Sequence, residues 1–323
     1  MKKALITGAN GQDASFLAEF LVNNGYQVYG TIRRNSVPES QTTRISELHS
    51  QNKINLIYAD LLDSSSIDNA VISTQPDELY HLAAQSHVRI SFDLPHYTTQ
   101  TNCVGTLNIL EAVRKFSQHT KIYNAASSEM FGNSCDDDGF QRETTTMNPV
   151  SPYGCSKLFA YNLCNNYKNA YGLFISSGIL FNHESYRRGI NFVTNKIAYE
   201  AVRVNKGLGK YIILGNLQAE RDWGYAGDYV RAMHMMLQET SPNNYVVSTG
   251  ISRSVESVLN YVLNFLNLDK KLVLKTDKRY ERPEELHKLK GDSSLIRGKL
   301  GWKNNTTFEQ MMKQMVEYWD KKL

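Results

Sequence analysis

The sequence predicts an α/β protein with a doubly wound parallel sheet, followed by a smaller mixed α/β C-terminal lobe. Short apolar runs alternate with helical patterns from Ala4 to Leu180, which is typical of parallel βαβ units. The 323 residues exceed what one simple core needs. We therefore assign residues 1–180 to the sheet domain, with a return contribution near residues 214–240, and residues 181–323 to the second lobe.

The first strand and the turn after it predict a nucleotide-binding site. Ala4–Thr7 is a short apolar run, and a helical pattern begins after Ala14. The glycines between them let the backbone turn tightly and approach a pyrophosphate, which rests on the helix N-terminus. The turn residues that we assign to this cofactor are Gly8, Asn10, Gly11, Gln12 and Asp13.

The end of the second predicted strand, Gln27–Ile32, bears on the choice of cofactor. A site for NAD usually carries Asp or Glu there to bind the ribose 2′-hydroxyl. In that place this chain has Arg33, Arg34, Asn35 and Ser36. Two guanidinium groups and a hydroxyl suit a 2′-phosphate and favour NADP, although solvated surface arginines are the alternative. Residues 35–50 lack clear periodicity and are predicted to form a long loop.

The third and fourth predicted strands end in residues that would complete the cofactor site. Asn55–Ala59 leads to Asp60 and Leu61, and the Asp60 carboxylate can accept a hydrogen bond from an adenine amino group. Glu78–Leu82 leads to small residues at the sheet edge where ligands bind in parallel α/β proteins. Small side chains let a flat ring approach, and the residues assigned to the cofactor here are Leu82, Ala84 and Ser86.

Apolar periodicity predicts the remaining elements of the sheet domain. They are helices over Ser65–Ser73, Thr101–Phe116 and Tyr153–Tyr171, and strands over Lys121–Ala126 and Phe174–Leu180. In the second lobe, Val255–Leu266 and Phe308–Trp319 are amphipathic, so we expect helices whose apolar stripes belong to the core.

Four residues near the middle of the chain carry the predicted chemistry. Tyr153 and Lys157 stand four apart on a predicted helix and therefore share a face. An ammonium beside a phenol favours the phenolate, so we expect the pKa of Tyr153 to fall from its usual value of about 10. Such a base can take a proton from a sugar hydroxyl while a hydride leaves the same carbon. Ser127 and Glu129 follow a strand end and should point into the same crevice.

Composition and charge argue against several other classes of protein. The chain is 41% hydrophobic and 21% charged, with a net charge of +4 and scattered Lys and Arg, so neither nucleic acid nor a membrane surface is indicated as a partner. The N-terminus predicts a strand rather than a signal peptide, and no apolar stretch is long enough for a bilayer. Without C-x-x-C or metal-ligand spacing, we expect free thiols, no metal site and a cytoplasmic location; the cysteines are Cys103, Cys135, Cys155 and Cys164.

Several sequence blocks are similar to a known family. Thr-Gly-x-x-Gly at the first turn, Ser-Ser-Glu at 127–129 and the Tyr153/Lys157 pair resemble the extended short-chain dehydrogenase/reductases that act on nucleotide sugars. The later blocks narrow this resemblance to the GDP-mannose 4,6-dehydratases. These blocks are residues 180–189, 214–217, 221–224 and 282–285.

The resemblance implies a Rossmann domain, bound NADP and redox-neutral loss of water from a GDP-sugar. It implies Tyr153 and Lys157 as the base, Ser127 as a hydrogen-bond donor to O4 and Glu129 as the acid/base at C5 and C6. It adds cofactor contacts from His183 and Arg188 and a homotetramer with the cofactor site near a subunit interface. The implied substrate contacts are Ser86, Glu129, Asn182, Lys196, Arg221, Arg282 and Glu285.

Three alternatives stay open at this point. Tyr186 replaces the usual proline of the family and the segment Asn35–Arg44 differs from it, so the sugar can be mannose or manno-heptose. A nucleotide-sugar 4-epimerase needs only Tyr153, Lys157 and a hydroxyl, and the carboxylate of Glu129 favours dehydration over it. A non-catalytic NADP-binding regulator tends to lose the tyrosine or the lysine, and this chain keeps both.

Overall fold

A computed structural model places the chain in one large sheet and two small ones. It describes residues 1–37, 41–277 and 283–323. In chain order the strands are β1 (Lys3–Ile6), β2 (Gln27–Ile32), β3 (Ile54–Tyr58), β4 (Glu78–His81), β5 (Lys121–Ser127), β6 (Ile175–Leu180), β7 (Asn182–Glu184), β8 (Ile212–Leu214), β9 (Glu220–Tyr225), β10 (Tyr245–Val247), β11 (Ser252–Ser254) and β12 (Leu274–Thr276).

The helices of the described residues mostly alternate with these strands. They are α1 (Gln12–Asn23), α2 (Ser46–Ser50), α3 (Ser64–Thr74), α4 (Val88–Asp93), α5 (Pro95–Thr99), α6 (Gly105–Phe116), α7 (Pro152–Tyr171), α8 (Val193–Asn205), α9 (Ala226–Gln238), α10 (Val255–Phe265), α11 (Lys270–Val273), α12 (Ser294–Leu300) and α13 (Phe308–Lys322). A π-helical turn, Gln100–Val104, precedes α6, and a 3-10 turn, Ser128–Phe131, follows β5.

The large sheet has seven parallel strands in the order β10-β6-β5-β4-β1-β2-β3. Every residue of β6 and nearly every residue of β1 is buried, as expected when helices cover both faces of a parallel sheet. The strand order reverses between β1 and β4, and ligands of open α/β sheets bind outside the strand ends at such a point. The predicted doubly wound sheet is confirmed.

Two layers of helices bury the faces of this sheet. On one face α1 and α9 contribute Leu17, Leu21, Met233 and Met236, each fully buried. The other face is covered by α3, α6 and α7, whose buried residues include Val71, Ile109, Val113 and Cys164. Beyond residue 181, the chain returns to this sheet through α9, β10 and α12.

The second lobe has its own core, in which α8, α10 and α13 pack around β8. The apolar stripe of α10 is buried as predicted, and it consists of Val255, Val258, Leu259, Val262 and Leu263. The three-stranded sheet is mixed, because β9 pairs antiparallel with β11 and parallel with β7, whereas β8 and β12 form a two-stranded parallel sheet. This agrees with the predicted mixed α/β lobe.

Two local predictions differ from the structure. The predicted loop over residues 35–50 is wrong at its end, because Ser46–Ser50 forms α2 around the buried Leu48; residues 38–40 lie outside the described residues. The helix predicted from Thr101 begins as a π turn and becomes an α-helix only at Gly105. Within the described ranges, no helix has the length and apolar character needed to cross a membrane.

Candidate active site

A cleft of about 700 Å³ lies between the carboxyl ends of the large-sheet strands and the second lobe. All four residues that the sequence predicts to be catalytic line this cleft: Ser127, Glu129, Tyr153 and Lys157. Three of them are almost completely buried, with 6–8% of their surface exposed. The prediction that they share one crevice is therefore consistent with the structure.

Close packing between the 3-10 turn and the start of α7 brings the four residues together. Ser151 caps α7 by accepting a hydrogen bond from the Gly154 amide at 3.0 Å. A β-carbon on Gly154 would lie 2.8 Å from the Glu129 carbonyl oxygen, so a glycine is needed there. The Ser127 hydroxyl accepts a hydrogen bond from the Glu129 amide at 3.3 Å and also bonds to the Tyr153 phenol. The backbone thus holds Ser127, Glu129 and Tyr153 in one group.

The electrostatics of the tyrosine–lysine pair differ from the sequence prediction. Burial raises the pKa of Tyr153 to about 12, although the hydrogen bond from Ser127 opposes this rise. The Lys157 ammonium lies 5.9 Å from the centre of the phenol ring and donates to the Ala125 carbonyl at 2.8 Å. The predicted lowering of the Tyr153 pKa is wrong here because desolvation of the phenol dominates. Burial also lowers the pKa of Lys157 to about 8.

A second cavity of about 320 Å³ adjoins the glycine turn between β1 and α1. Gly8 has φ +70°, and a β-carbon there would lie 3.0 Å from Ala83 Cα, while one on Gly11 would lie 3.2 Å from the Gly8 carbonyl oxygen. A side chain at Gly8 would be strained, and one at Gly11 would crowd the cradle. The predicted cofactor residues that line the cavity are Gly8, Gly11, Gln12, Asp13, Arg33, Asp60, Leu61, Leu82, Ala84, Ser86 and Arg188. The shape and the donors fit a dinucleotide.

Among the predicted cofactor residues, His183 lines only the larger cleft, and four residues line neither cavity: Asn10, Arg34, Asn35 and Ser36. Asn10 instead accepts a hydrogen bond from the Arg44 amide at 2.8 Å, and Arg34 donates to the Asn35 carbonyl at 2.9 Å. Arg33 is held differently, since its guanidinium donates to the Tyr97 hydroxyl and lies over that ring. Of the four residues predicted to bind the 2′-phosphate, only Arg33 therefore lines the cavity.

A contact between a histidine and a carboxylate joins the first turn of α1 to the strand β7. His183 Nε2 lies 2.7 Å from Asp13 Oδ2, and Nδ1 lies 2.7 Å from the Phe181 carbonyl oxygen. The imidazole stacks on Tyr229 with ring centroids 4.6 Å apart. Burial opposes protonation, but Asp13 outweighs it and raises the pKa of His183. The two predicted cofactor residues Asp13 and His183 are therefore hydrogen-bonded to each other beside the cleft.

Five predicted substrate residues besides Glu129 line the larger cleft, and they are Ser86, Asn182, Lys196, Arg221 and Glu285. Among the described residues, the buried Asn182 Oδ1 atom has no hydrogen-bond partner, so it can accept a hydrogen bond from a ligand. Arg221 is 5% exposed, and its Nη2 lies 3.7 Å from Glu285 Oε1. Arg282 lies outside the described residues.

Sequence reasoning missed several residues of the two cavities. Tyr97 accepts a hydrogen bond from Arg33, which lies 64 positions earlier in the chain, and no local sequence pattern predicts that contact. Tyr199, Glu200 and Trp223 line the second-lobe side of the larger cleft. Glu200 was detectable, because it follows the predicted phosphate ligand Lys196 by one helical turn.

Within the described ranges, no group of three or more His, Cys, Asp or Glu side chains could hold a metal ion. The four cysteines of the chain are free thiols, of which Cys103 and Cys164 are buried.

Comparisons with known proteins match the whole length of this fold. A family profile described as GDP-mannose 4,6 dehydratase matches residues 5–315. GDP-mannose 4,6 dehydratase 2 of Arabidopsis thaliana is 48% identical over 326 residues, covering 98% of this chain and 86% of that protein. UDP-glucose 4-epimerase of Thermus thermophilus in complex with NAD has a TM-score of 0.85 at 22% identity, covering 98% of each chain. RMD from Pseudomonas aeruginosa complexed with NADPH has a TM-score of 0.80 at 22% identity, covering 99% of this chain and 100% of that one.

Proposed function

The chain belongs to the GDP-mannose 4,6-dehydratase family, and on that premise we propose that it is a hydro-lyase converting GDP-mannose to GDP-4-keto-6-deoxymannose with a nicotinamide cofactor. The observation that carries this proposal is the convergence of Ser127, Glu129, Tyr153 and Lys157 on one cleft beside a dinucleotide cradle. An oxidoreductase needs the tyrosine and lysine. Elimination of water also needs an acid/base at the neighbouring carbons, and the buried Glu129 supplies it.

The first part of the proposed reaction oxidises C4 of the sugar. Tyr153 takes the proton from O4, and the Lys157 ammonium favours the phenolate form. A bound nicotinamide supplies a hydride acceptor for C4 and, once reduced, a hydride donor for C6. The Ser127 hydroxyl donates to O4 and polarises the ketone that forms there. Since burial raises the pKa of Tyr153 in this structure, the positive charges around the phenol have to lower it during turnover.

The second part of the proposed reaction removes water across C5 and C6. The C4 ketone acidifies the hydrogen on C5, and the Glu129 carboxylate takes that proton. The same proton then leaves with the C6 hydroxyl group as water. Tyr153, which holds the proton taken from O4, finally protonates C5. The redox state of the cofactor is unchanged over the cycle, so the enzyme needs no external oxidant.

NADP is the proposed form of the cofactor. Arg33 lines the adenosine-side cavity, and its guanidinium is supported by Tyr97, which suits a 2′-phosphate. Asp60 lies at the same cavity for the adenine amino group, and Arg188 borders both cavities, where it can reach a diphosphate. We include Arg34, Asn35, Ser36 and Asn10 in the proposed site only as its outer rim.

Lys196 and Arg221 are the proposed ligands of the substrate diphosphate, with Asn182 and Ser86 nearer the sugar and Glu285 beside Arg221. Arg282 belongs to the same proposal on its sequence block alone. We also propose a cytoplasmic location, which the four free thiols support.

A homotetramer is the proposed assembly. Its support is the exposure of large apolar side chains on adjoining helices and turns, where Leu94, Val104 and Phe159 are 44–51% exposed. Sedimentation analysis of the purified protein measures the assembly, and a monomer at micromolar concentration would contradict this proposal.

Incubation with a panel of GDP-sugars and product mass spectrometry tests the proposed activity. We expect GDP-mannose to lose the mass of one water and to give a 4-keto product. Loss of water from GDP-manno-heptose instead would identify a different sugar substrate for the same type of reaction. An isomer of unchanged mass would identify an epimerase, and no reaction with either sugar would refute the proposal.

A further inference from the structure

Helix α8 runs along one wall of the larger cleft, and its cleft-lining side chains follow one another along the helix axis. At its start, Phe192 lies under the Arg188 guanidinium at 3.6 Å from the ring centroid, beside the cofactor cavity. Lys196 and Glu200 follow at one-turn intervals on the same face, and both line the cleft. With a rise of about 1.5 Å per residue, Glu200 lies roughly 12 Å along the axis from Phe192.

This order matches the parts of a nucleotide-sugar. If Lys196 binds the diphosphate, the sugar lies toward Phe192 and the base toward Glu200. The second-lobe wall of the cleft offers flat and apolar surface for a base from four elements of the lobe. Its members are Tyr199, Leu214, Trp223 and Val255.

Glu200 is the carboxylate best placed for the base. Its side chain is 23% exposed, and Oε2 accepts a hydrogen bond from Arg203 Nη1 at 3.3 Å, which holds it against the helix. The other acidic residues of the cleft are either paired near the large sheet or belong to the proposed chemistry or diphosphate site. They are Asp13, Asp93, Glu129, Glu184 and Glu285.

Guanine has the hydrogen-bonding pattern that a carboxylate recognises. Its N1–H and its N2 amino group are two adjacent donors, and a carboxylate has two adjacent acceptor oxygens. Uracil and thymine offer one donor between two carbonyl oxygens, so a carboxylate would face acceptors that it repels. A carboxylate at the base end therefore discriminates among nucleoside diphosphates as well as binding one.

We propose that Glu200 reads the N1–H and N2–H edge of guanine and makes the cleft selective for a guanosine diphosphate. This inference rests on the proposed function, since it takes Lys196 to be a diphosphate ligand. It adds a specificity-determining residue that neither the glycine turn nor the catalytic group contains.

Titration calorimetry with GDP, IDP and UDP tests this proposal without turnover. IDP keeps N1–H but lacks the N2 amino group, so it removes half of the proposed contact. We expect the wild-type protein to bind GDP at least ~10-fold more tightly than IDP, and UDP more weakly than both. Glu200→Gln, which is nearly isosteric, should weaken GDP binding by ~10–100-fold and bring the GDP-to-IDP ratio close to one.

Glu317→Gln is the matched control, because Glu317 is an exposed residue of α13, 3.7 Å from Lys313 and outside the cleft lining. It should keep the wild-type ratio. A Glu200→Gln protein that keeps the wild-type GDP-to-IDP ratio overturns the role of Glu200 while leaving the proposed function intact. Tighter binding of UDP than of GDP by the wild-type protein overturns both. The wild-type GDP-to-IDP ratio needs no variant, so a ratio near one overturns the proposal even if Glu200→Gln does not fold.

Discussion

Burial of the charged Lys157 side chain destabilises the folded protein, and this makes the free energy of unfolding depend on pH. Its ammonium is buried against the cleft with one hydrogen bond to Ala125, and burial lowers its pKa from 10.5 to about 8. Between these two values the unfolded chain binds more protons than the folded one. Linkage then requires that this residue's contribution to the free energy of unfolding rises with pH in that window.

Lys157→Met isolates this effect, because methionine has similar length and does not titrate. At neutral pH, a shift of that size corresponds to ~3 kcal/mol of penalty in the wild-type protein. Integrating the linkage relation, wild type should gain about 2 kcal/mol over the variant when the pH is raised from about 7 to about 9.5. The lost hydrogen bond to Ala125 adds an offset that does not depend on pH.

Urea unfolding of both proteins at the two pH values, followed by tryptophan fluorescence, measures this difference. Lys313→Met is the control, since its side chain is 56% exposed and its replacement should give a gap that stays constant with pH. A gap between wild type and Lys157→Met that is independent of pH would refute the claim that burial destabilises this ammonium. A relative loss of wild-type stability as the pH rises would reverse its sign.

Three further changes test other parts of the account. Glu129→Gln should lower dehydration by ~10²–10⁴-fold while C4 oxidation survives, so reduced nicotinamide should accumulate in its near-ultraviolet absorbance; unchanged turnover would exclude Glu129 as the acid/base. Arg33→Ala should cut the preference for NADP over NAD by ~10-fold or more, whereas Arg34→Ala should have a smaller effect on cofactor dissociation constants because Arg34 does not line the cavity. Asp228→Ala should lower the free energy of unfolding by about 2–4 kcal/mol, because this buried carboxylate accepts backbone hydrogen bonds from residues 305 and 306 at 2.9 Å each; wild-type stability in urea would show that these bonds are replaceable.

The doubly wound parallel sheet and the alternation of its strands and helices could be predicted from local sequence. The second strand, Gln27–Ile32, has the predicted bounds, because Asn24 and Gly25 precede a largely β-prone run that ends before Arg33. Glu129 and Tyr153 were placed in one crevice because the carboxyl ends of parallel strands meet at one edge of the sheet. Such rules depend on residues within one turn or one strand.

The properties that sequence could not give depend on tertiary packing. The pKa of Tyr153 rises because other parts of the chain exclude water from the phenol, and no spacing to Lys157 reveals that. The support of Arg33 by Tyr97 joins a strand end to a short helix far along the chain. Glu200 follows Lys196 by one helical turn in the sequence, but only the position of α8 along the cleft shows that both side chains line it.

The fate of the hydrogen on C4 of the sugar tests the central claim most directly. Purified protein should be incubated with NADP and GDP-mannose that carries deuterium at C4, and the product examined by mass spectrometry and NMR. The account predicts a product one water lighter, with a ketone at C4 and the deuterium in the C6 methyl group. A product with the mass of the substrate, or one that has lost water but carries no deuterium at C6, would contradict it.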